Sequence, residues 1–266
     1  MKPRPQLPSA LTVAGSDSGG GAGVQADLKT FAAHGLHGIC AITCLTAQNP
    51  DHVLGVQPSS SKFLEKQLEA VAPFNPGAMK TGMLYSRALI IVVTAFVRDH
   101  PRIPLVIDPV MIATSGSTLL KPSAVSALKK LLPLATIMTP NIPEAEALSR
   151  ETISDIEDQR RVARILSKRF NTAVLLKGGH MTGHREAADV YNDGSEELLL
   201  ASPWIRTGSA HGTGCTLSAA IASNLALKHS LPVAVARAKE FITGAIARGS
   251  KAGKFQVLDP FWKKRA

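Results

Sequence analysis

Apolar and polar positions along the chain keep switching between two rhythms. Short runs that are apolar at nearly every position alternate with longer stretches whose apolar residues recur every three or four positions. Residues 11–15 (LTVAG) form the first apolar run and predict a buried strand. Residues 23–35 follow with helical spacing, Val24, Leu28 and Phe31 falling on one face. The same alternation predicts strands at 38–47, 77–84, 104–110, 135–140 and 172–179. It predicts helices at 60–73, 86–100, 121–133, 141–149 and 154–170, and two more at 212–229 and 232–249. Local signals support the helix starts. Pro122 and Pro143 stand in opening turns, Asn141 is placed as a cap, and Ser154 with Glu157 has the spacing of a capping box. Residues 188–193 and 196–205 read as a hairpin around Asp193-Gly194.

Strands separated by helices predict an α/β fold with a mostly parallel central sheet and helices on both faces. No Pro/Gly-rich linker divides the pattern, so we expect one domain over residues 1–266. The run at 88–97 is too short to span a bilayer and reads as a buried helix. Residues 1–15 hold three prolines and no continuous apolar core, so no signal peptide is expected.

Composition changes this picture little. Only Cys40, Cys44 and Cys215 occur, a sparse odd count that favours a reducing, cytoplasmic setting over a disulfide framework. The net charge of +10 would suit nucleic acid, but the basic residues are scattered and aromatics make up only 5%. We therefore expect no nucleic-acid or membrane partner, and read the charge as solvated helix faces plus a basic tail. It also favours encounter with polyanionic substrates.

In such sheets ligands bind beyond the carboxyl ends of the strands, so the residues that follow the strands carry the chemistry. After the first strand comes SDSGGGAG (16–23), whose spacing fails the dinucleotide fingerprint because no glycine stands three after Gly21. Gln48, Met83, Val110 and Asn141 follow other strands, with Asp108, Glu144 and Lys177 close by. Singly, each has a plain structural reading: Asn141 is a cap, Glu144 a first-turn acid and Lys177 a strand-end charge. Together they set amide, carboxylate and ammonium groups at one edge of one sheet. Residues 178–185 lack the lysine of a phosphate loop, since His184 stands in its place. No HExxH or GxSxG occurs.

HGTGC (211–215) opens an apolar run. Glycines at a helix start leave backbone N–H groups facing outward, an anion site that the helix dipole strengthens. Cys215 falls in the first turn, where a thiolate is favoured, so its pKa is expected to fall.

The segments AGSDSGGGAGVQADLKTF, AMKTGML, DPVM, TPNIPEAEAL, LLKGGH and HGTGCTLSAAIA occur in this order between residue 14 and about 222. This set resembles the hydroxymethylpyrimidine/phosphomethylpyrimidine kinases of thiamin biosynthesis, members of the ribokinase-like superfamily. The resemblance implies a ribokinase-like three-layer sandwich and an ATP- and Mg2+-dependent kinase. Its substrates would be 4-amino-5-hydroxymethyl-2-methylpyrimidine and then the monophosphate. By the same resemblance Asp27 and Gln48 hold the aminopyrimidine edge, and Gly15, Met83 and Val110 shape its pocket. Asn141 and Glu144 match an NxxE motif that organises magnesium and phosphates, with Asp108 as a second metal carboxylate. Lys177 and Thr213 meet ATP phosphates. Gly212, Gly214 and Cys215 form the catalytic anion hole with Lys177, Cys215 standing where most of the superfamily has Asp. A homodimer is implied as well. A pyridoxine/pyridoxal kinase shares the fold and phosphate machinery and is the alternative; residues 180–188 are the candidate for a closing loop.

Overall fold

The computed structural model of the protein describes residues 7–112, 119–179, 186–205 and 211–264. Its elements run β1 (Ser9–Asp17), α1 (Gly23–Ala33), β2 (His37–Gln48), β3 (Val53–Pro58), α2 (Ser61–Val71), β4 (Ala78–Thr81), α3 (Arg87–Asp99) and β5 (Leu105–Ile107). Then come α4 (Val125–Leu131), β6 (Ile137–Met138), α5 (Ile142–Ser149), α6 (Ile156–Phe170), β7 (Ala173–Lys177), β8 (Glu186–Asn192) and β9 (Glu197–Pro203). The chain closes with α7 (Thr213–Ala226), α8 (Leu231–Ala247), β10 (Ser250–Ala252) and β11 (Phe255–Val257).

Among the described residues, nine strands form one sheet in the order β3-β2-β1-β4-β5-β6-β7-β8-β9. The six strands from β2 to β7 pair in parallel, and antiparallel strands β3, β8 and β9 finish the two edges. One face carries Leu11, Val13, Met79 and Ile107 against the apolar sides of α2, α3, α4, α5 and α6. The other carries Ala10, Ala78, Val106 and Leu175 against α1, α7 and α8. The expected three layers are present.

Helix α7 explains its own composition. From Thr216 to Ala226 every residue is buried, so the helix is enclosed on all sides rather than along one stripe. Small residues let it settle on the sheet, and its first turn emerges at the carboxyl ends of the parallel strands. The α3 run, by contrast, is buried along one face only, and Ile91 is exposed.

Several local details differ from the expectation, among them the β10–β11 hairpin, which no pattern predicted. The strand β6 is only two residues long within the expected 135–140. The antiparallel β3 was not foreseen, because its short, mostly exposed sequence lacks a buried stripe. The capping box expected at Ser154 and Glu157 does not form. Asp155 is the cap, its Oδ1 accepting the Asp158 N–H at 2.8 Å, while the Ser154 N–H donates to Asp158 Oδ2 at 3.1 Å. A carboxylate at the cap also meets the helix dipole favourably, which a serine hydroxyl does less well. Asp155→Ala is expected to lower the unfolding free energy by about 1 kcal/mol, read from urea titrations, whereas Ser154→Ala should lie within about 0.5 kcal/mol of wild type.

Candidate active site

A cleft of about 490 Å³ opens at the carboxyl ends of β2, β5 and β7. Ten of the residues singled out from the sequence line it: Gln48, Asp108, Val110, Asn141, Glu144, Lys177, Gly212, Thr213, Gly214 and Cys215. The floor is the first turn of α7. Gly212, its cap position, has φ 83° and offers no side-chain cap. A Cβ there would stand 1.8 Å from the Gly21 carbonyl oxygen, so only glycine fits both the dihedral and the space. The leading amides of α7 therefore face the cleft with the positive end of the helix dipole behind them.

A charged pair sits directly over that turn. Lys177 Nζ donates to Asp108 Oδ1 at 3.0 Å, and a Cβ on Gly214 would be 3.1 Å from Lys177 Nζ and 3.6 Å from Asp108 Oδ2. Ser218, one turn into α7, donates to Asp108 Oδ2 at 3.3 Å. Next to the pair, Asn141 and Glu144 begin α5 as a reciprocal capping box. Asn141 Oδ1 accepts the Glu144 N–H at 2.9 Å and Glu144 Oε2 accepts the Asn141 N–H at 2.9 Å. Gln48 closes β2 and is tied by its backbone to the Ser18 hydroxyl, which donates to the Gln48 carbonyl at 2.9 Å and accepts the Gln48 N–H at 2.8 Å.

Burial pushes the Glu144 carboxyl up to about 7; Lys177 pulls it down and Asp108 pushes it further up. A carboxyl whose folded pKa lies above its ordinary value near 4.5 binds its proton more tightly in the folded chain. Its contribution to stability is complete below about pH 4.5 and is lost as pH rises through 7. The ligand-free protein is therefore expected to lose stability between about pH 5 and pH 8 relative to Glu144→Gln, measured by urea unfolding of both proteins at each pH.

Residues 17–258 match the family described as phosphomethylpyrimidine kinase. The chain belongs to the phosphomethylpyrimidine kinase family. This kinase is 44% identical over 252 residues to the hydroxymethylpyrimidine/phosphomethylpyrimidine kinase of Synechococcus elongatus, covering 94% of this chain and 95% of that one. The crystal structure of a phosphomethylpyrimidine kinase from Clostridium difficile is similar with a TM-score of 0.79 at 42% identity, covering 90% of this chain and 99% of that one. The ADP complex of Bacillus subtilis pyridoxal kinase is similar with a TM-score of 0.89 at 34% identity, covering 97% and 99%.

Three of the expected site residues lie off the kinase's cleft lining. Gly15 and Met83 pack behind it: a Cβ on Gly15 would stand 2.8 Å from Cys44 Sγ and 3.4 Å from Met83 Sδ. Met83 is itself buried. Asp27 is fully buried in α1, and its carboxylate is already engaged. Lys80 Nζ donates to its Oδ1 and Oδ2 at 2.9 and 2.8 Å, and the Thr12 hydroxyl donates to Oδ2 at 2.6 Å. An aminopyrimidine edge has no open path to that carboxylate, so a direct ring contact by Asp27 does not fit this structure. The reason is Lys80, a lysine pointing inward from β4. Burial works against its charge, but the Asp27 carboxylate outweighs it and holds the ammonium above its usual pKa.

The expected fall in the Cys215 pKa is also corrected. Burial pushes the thiol up to about 11, ahead of the opposing pull of Lys80; Asp27 and Asp108 push it further, and a hydrogen bond from the Gly23 amide resists. The helix start favours a thiolate, but desolvation among carboxylates wins. Two contributors escaped the sequence reading. His211, adjacent to the glycines, lines the cleft and bonds Asp17; Trp204 lines it with Ile242 and Ile246. The lone histidine before a glycine pair was the available signal for the first. Of the loop expected to close over the site, residues 180–185 lie outside the described residues.

Proposed function

We propose that the protein is an ATP-dependent kinase of thiamin biosynthesis, one kinase domain that phosphorylates 4-amino-5-hydroxymethyl-2-methylpyrimidine and then its monophosphate to the diphosphate. The observation that carries this reading is the convergence of the α7 amides, Lys177, Asp108 and Glu144 on one cleft, which Gln48 and Val110 also line. Phosphoryl transfer passes through a loose transition state, so positioned charge does most of the work. The amides of 212–215 and the Lys177 ammonium receive the equatorial oxygens of the transferring group. Gln48 offers both amide donor and acceptor to the aminopyrimidine edge, and Val110 packs on the ring. Cys215 faces the acceptor alcohol and takes its proton late in the transfer.

The donor set also fits a magnesium ion. Two buried carboxylates, Asp108 and Glu144, stand close enough for one to raise the pKa of the other, and magnesium is typically held by one or two carboxylates plus substrate phosphates. Bound there, it offsets the phosphate charge. Among the described residues no helix is long and apolar enough to cross a membrane. We place the enzyme in the cytoplasm as a homodimer, with no nucleic-acid partner.

Pyridoxal is the competing acceptor, favoured by the TM-score of 0.89 to the pyridoxal kinase structure. The test is kcat/KM for each alcohol at fixed ATP and magnesium. The pyrimidine should be preferred by at least about tenfold, a difference of about 1.4 kcal/mol in transition-state binding. Preference for pyridoxal would transfer the assignment to that vitamin.

A further inference from the structure

Asp17 ends β1 and takes no part in the reaction as described above, yet its carboxylate is buried and gathers four groups. Its Oδ1 accepts the Gly19 N–H at 2.9 Å, and its Oδ2 accepts those of Gly21 at 3.1 Å and Ala22 at 2.8 Å. The same Oδ2 lies 2.9 Å from Nε2 of His211. The side chains of Asp17 and His211 are only 2% and 7% exposed. Burial disfavours the Asp17 charge, but hydrogen bonds from His211, Ala22 and Gly19 outweigh it and hold the carboxyl below its ordinary range.

His211 directly precedes Gly212, where the anion hole begins. The two segments meet backbone to backbone. A Cβ on Gly21 would be 2.8 Å from His211 Cδ2, and one on Gly212 would be 1.8 Å from the Gly21 oxygen. At its other end the same loop holds Gln48 through the Ser18 hydroxyl. Residues 17–22 thus run from the ring-reading wall of the cleft to the first amides of α7.

We propose that Asp17 and His211 are positioning residues, a clamp that fixes the anion hole of α7 at its working distance from the acceptor alcohol. Neither side chain needs to touch substrate. The inference rests on the reading of residues 212–215 as the phosphoryl site. A loosened clamp leaves ground-state binding of both substrates nearly intact but misaligns the donors in the transition state. A misplacement near 1 Å can cost on the order of 10²-fold in rate.

Steady-state kinetics of full-length variants with ATP and the pyrimidine alcohol test this. His211→Phe keeps a flat aromatic ring, though a larger one, and removes both ring nitrogens, so kcat should fall about 30-fold while both KM values stay within about threefold. His211→Gln, whose amide nitrogen can reach Asp17, should recover to within about fivefold of wild type. Asp17→Asn should lower kcat comparably. The double variant Asp17→Asn/His211→Phe should be no more than about threefold worse than the poorer single variant, because both substitutions loosen the same clamp. The clamp is overturned by a near-wild-type kcat in His211→Phe, by equal losses in the Phe and Gln variants, or by losses that multiply in the double variant. If His211→Phe does not fold, His211→Gln, Asp17→Asn and their combination decide by the same non-additivity. A wild-type enzyme without pyrimidine kinase turnover would instead refute the functional reading, so the two failures are distinguishable.

Discussion

Replacing Cys215 with alanine is expected to lower kcat by about 10²–10⁴-fold, with the Kd for ATP changed by no more than about threefold. The size follows from the role. Alanine keeps the α7 backbone and its amides, so nucleotide phosphates still find their donors, but the alcohol proton loses its acceptor. The thiol, which desolvation raises to about 11, adds a second expectation. Near pH 7 the ligand-free thiol is held almost wholly protonated, and each pH unit raises the thiolate fraction about tenfold. The wild-type rate should therefore climb from pH 7 to pH 9. Cys215→Asp, ionised throughout that range, should retain turnover and lose the climb. Stopped assays of kcat across pH for the three proteins read this directly. A Cys215→Ala enzyme with near-wild-type turnover would remove the base role.

Lys80→Met is expected to destabilise the fold by about 3–5 kcal/mol. Lys80 and Asp27 are both 0% exposed and joined by two contacts of 2.8 and 2.9 Å. Removing the ammonium leaves a carboxylate buried between α1 and β4 with, among the described residues, only the Thr12 hydroxyl as a hydrogen-bond donor. Removing both charges avoids that penalty, so Lys80→Met/Asp27→Leu should recover most of the loss. Urea unfolding of wild type, single and double variants measures it. If Asp27 were instead a ring contact, Asp27→Asn would raise KM for the pyrimidine and scarcely alter stability. The geometry predicts the reverse: a clear loss of stability and little specific effect on KM.

The parallel sheet and the cleft were legible because the strands are buried runs and their exits carry the polar groups. Asp108, Asn141, Glu144 and Lys177 lie at successive strand ends, and parallel pairing brings successive ends to one edge. Asp27 was misread because a helix-borne carboxylate shows its partner only once β4 is placed beneath it. The clue was in AMKTG, where a lysine interrupts an apolar strand and must find an anion inside. The thiol was misread for a related reason. The helix start is visible in HGTGC, but the desolvation and the carboxylates around Cys215 come from residues some 100 to 190 positions away. The α6 cap was missed by one residue because Ser154 and Asp155 both satisfy the local pattern, and the stronger acceptor takes the position.

The most direct test of the central claim is the order of products when the wild-type enzyme meets the pyrimidine alcohol, magnesium and excess ATP, followed by phosphorus NMR. The α7 anion hole facing a pyrimidine site predicts that the monophosphate accumulates first and is then converted to the diphosphate, with ADP formed in step. ATP consumed without phosphorylated pyrimidine, or no reaction at all, would contradict it.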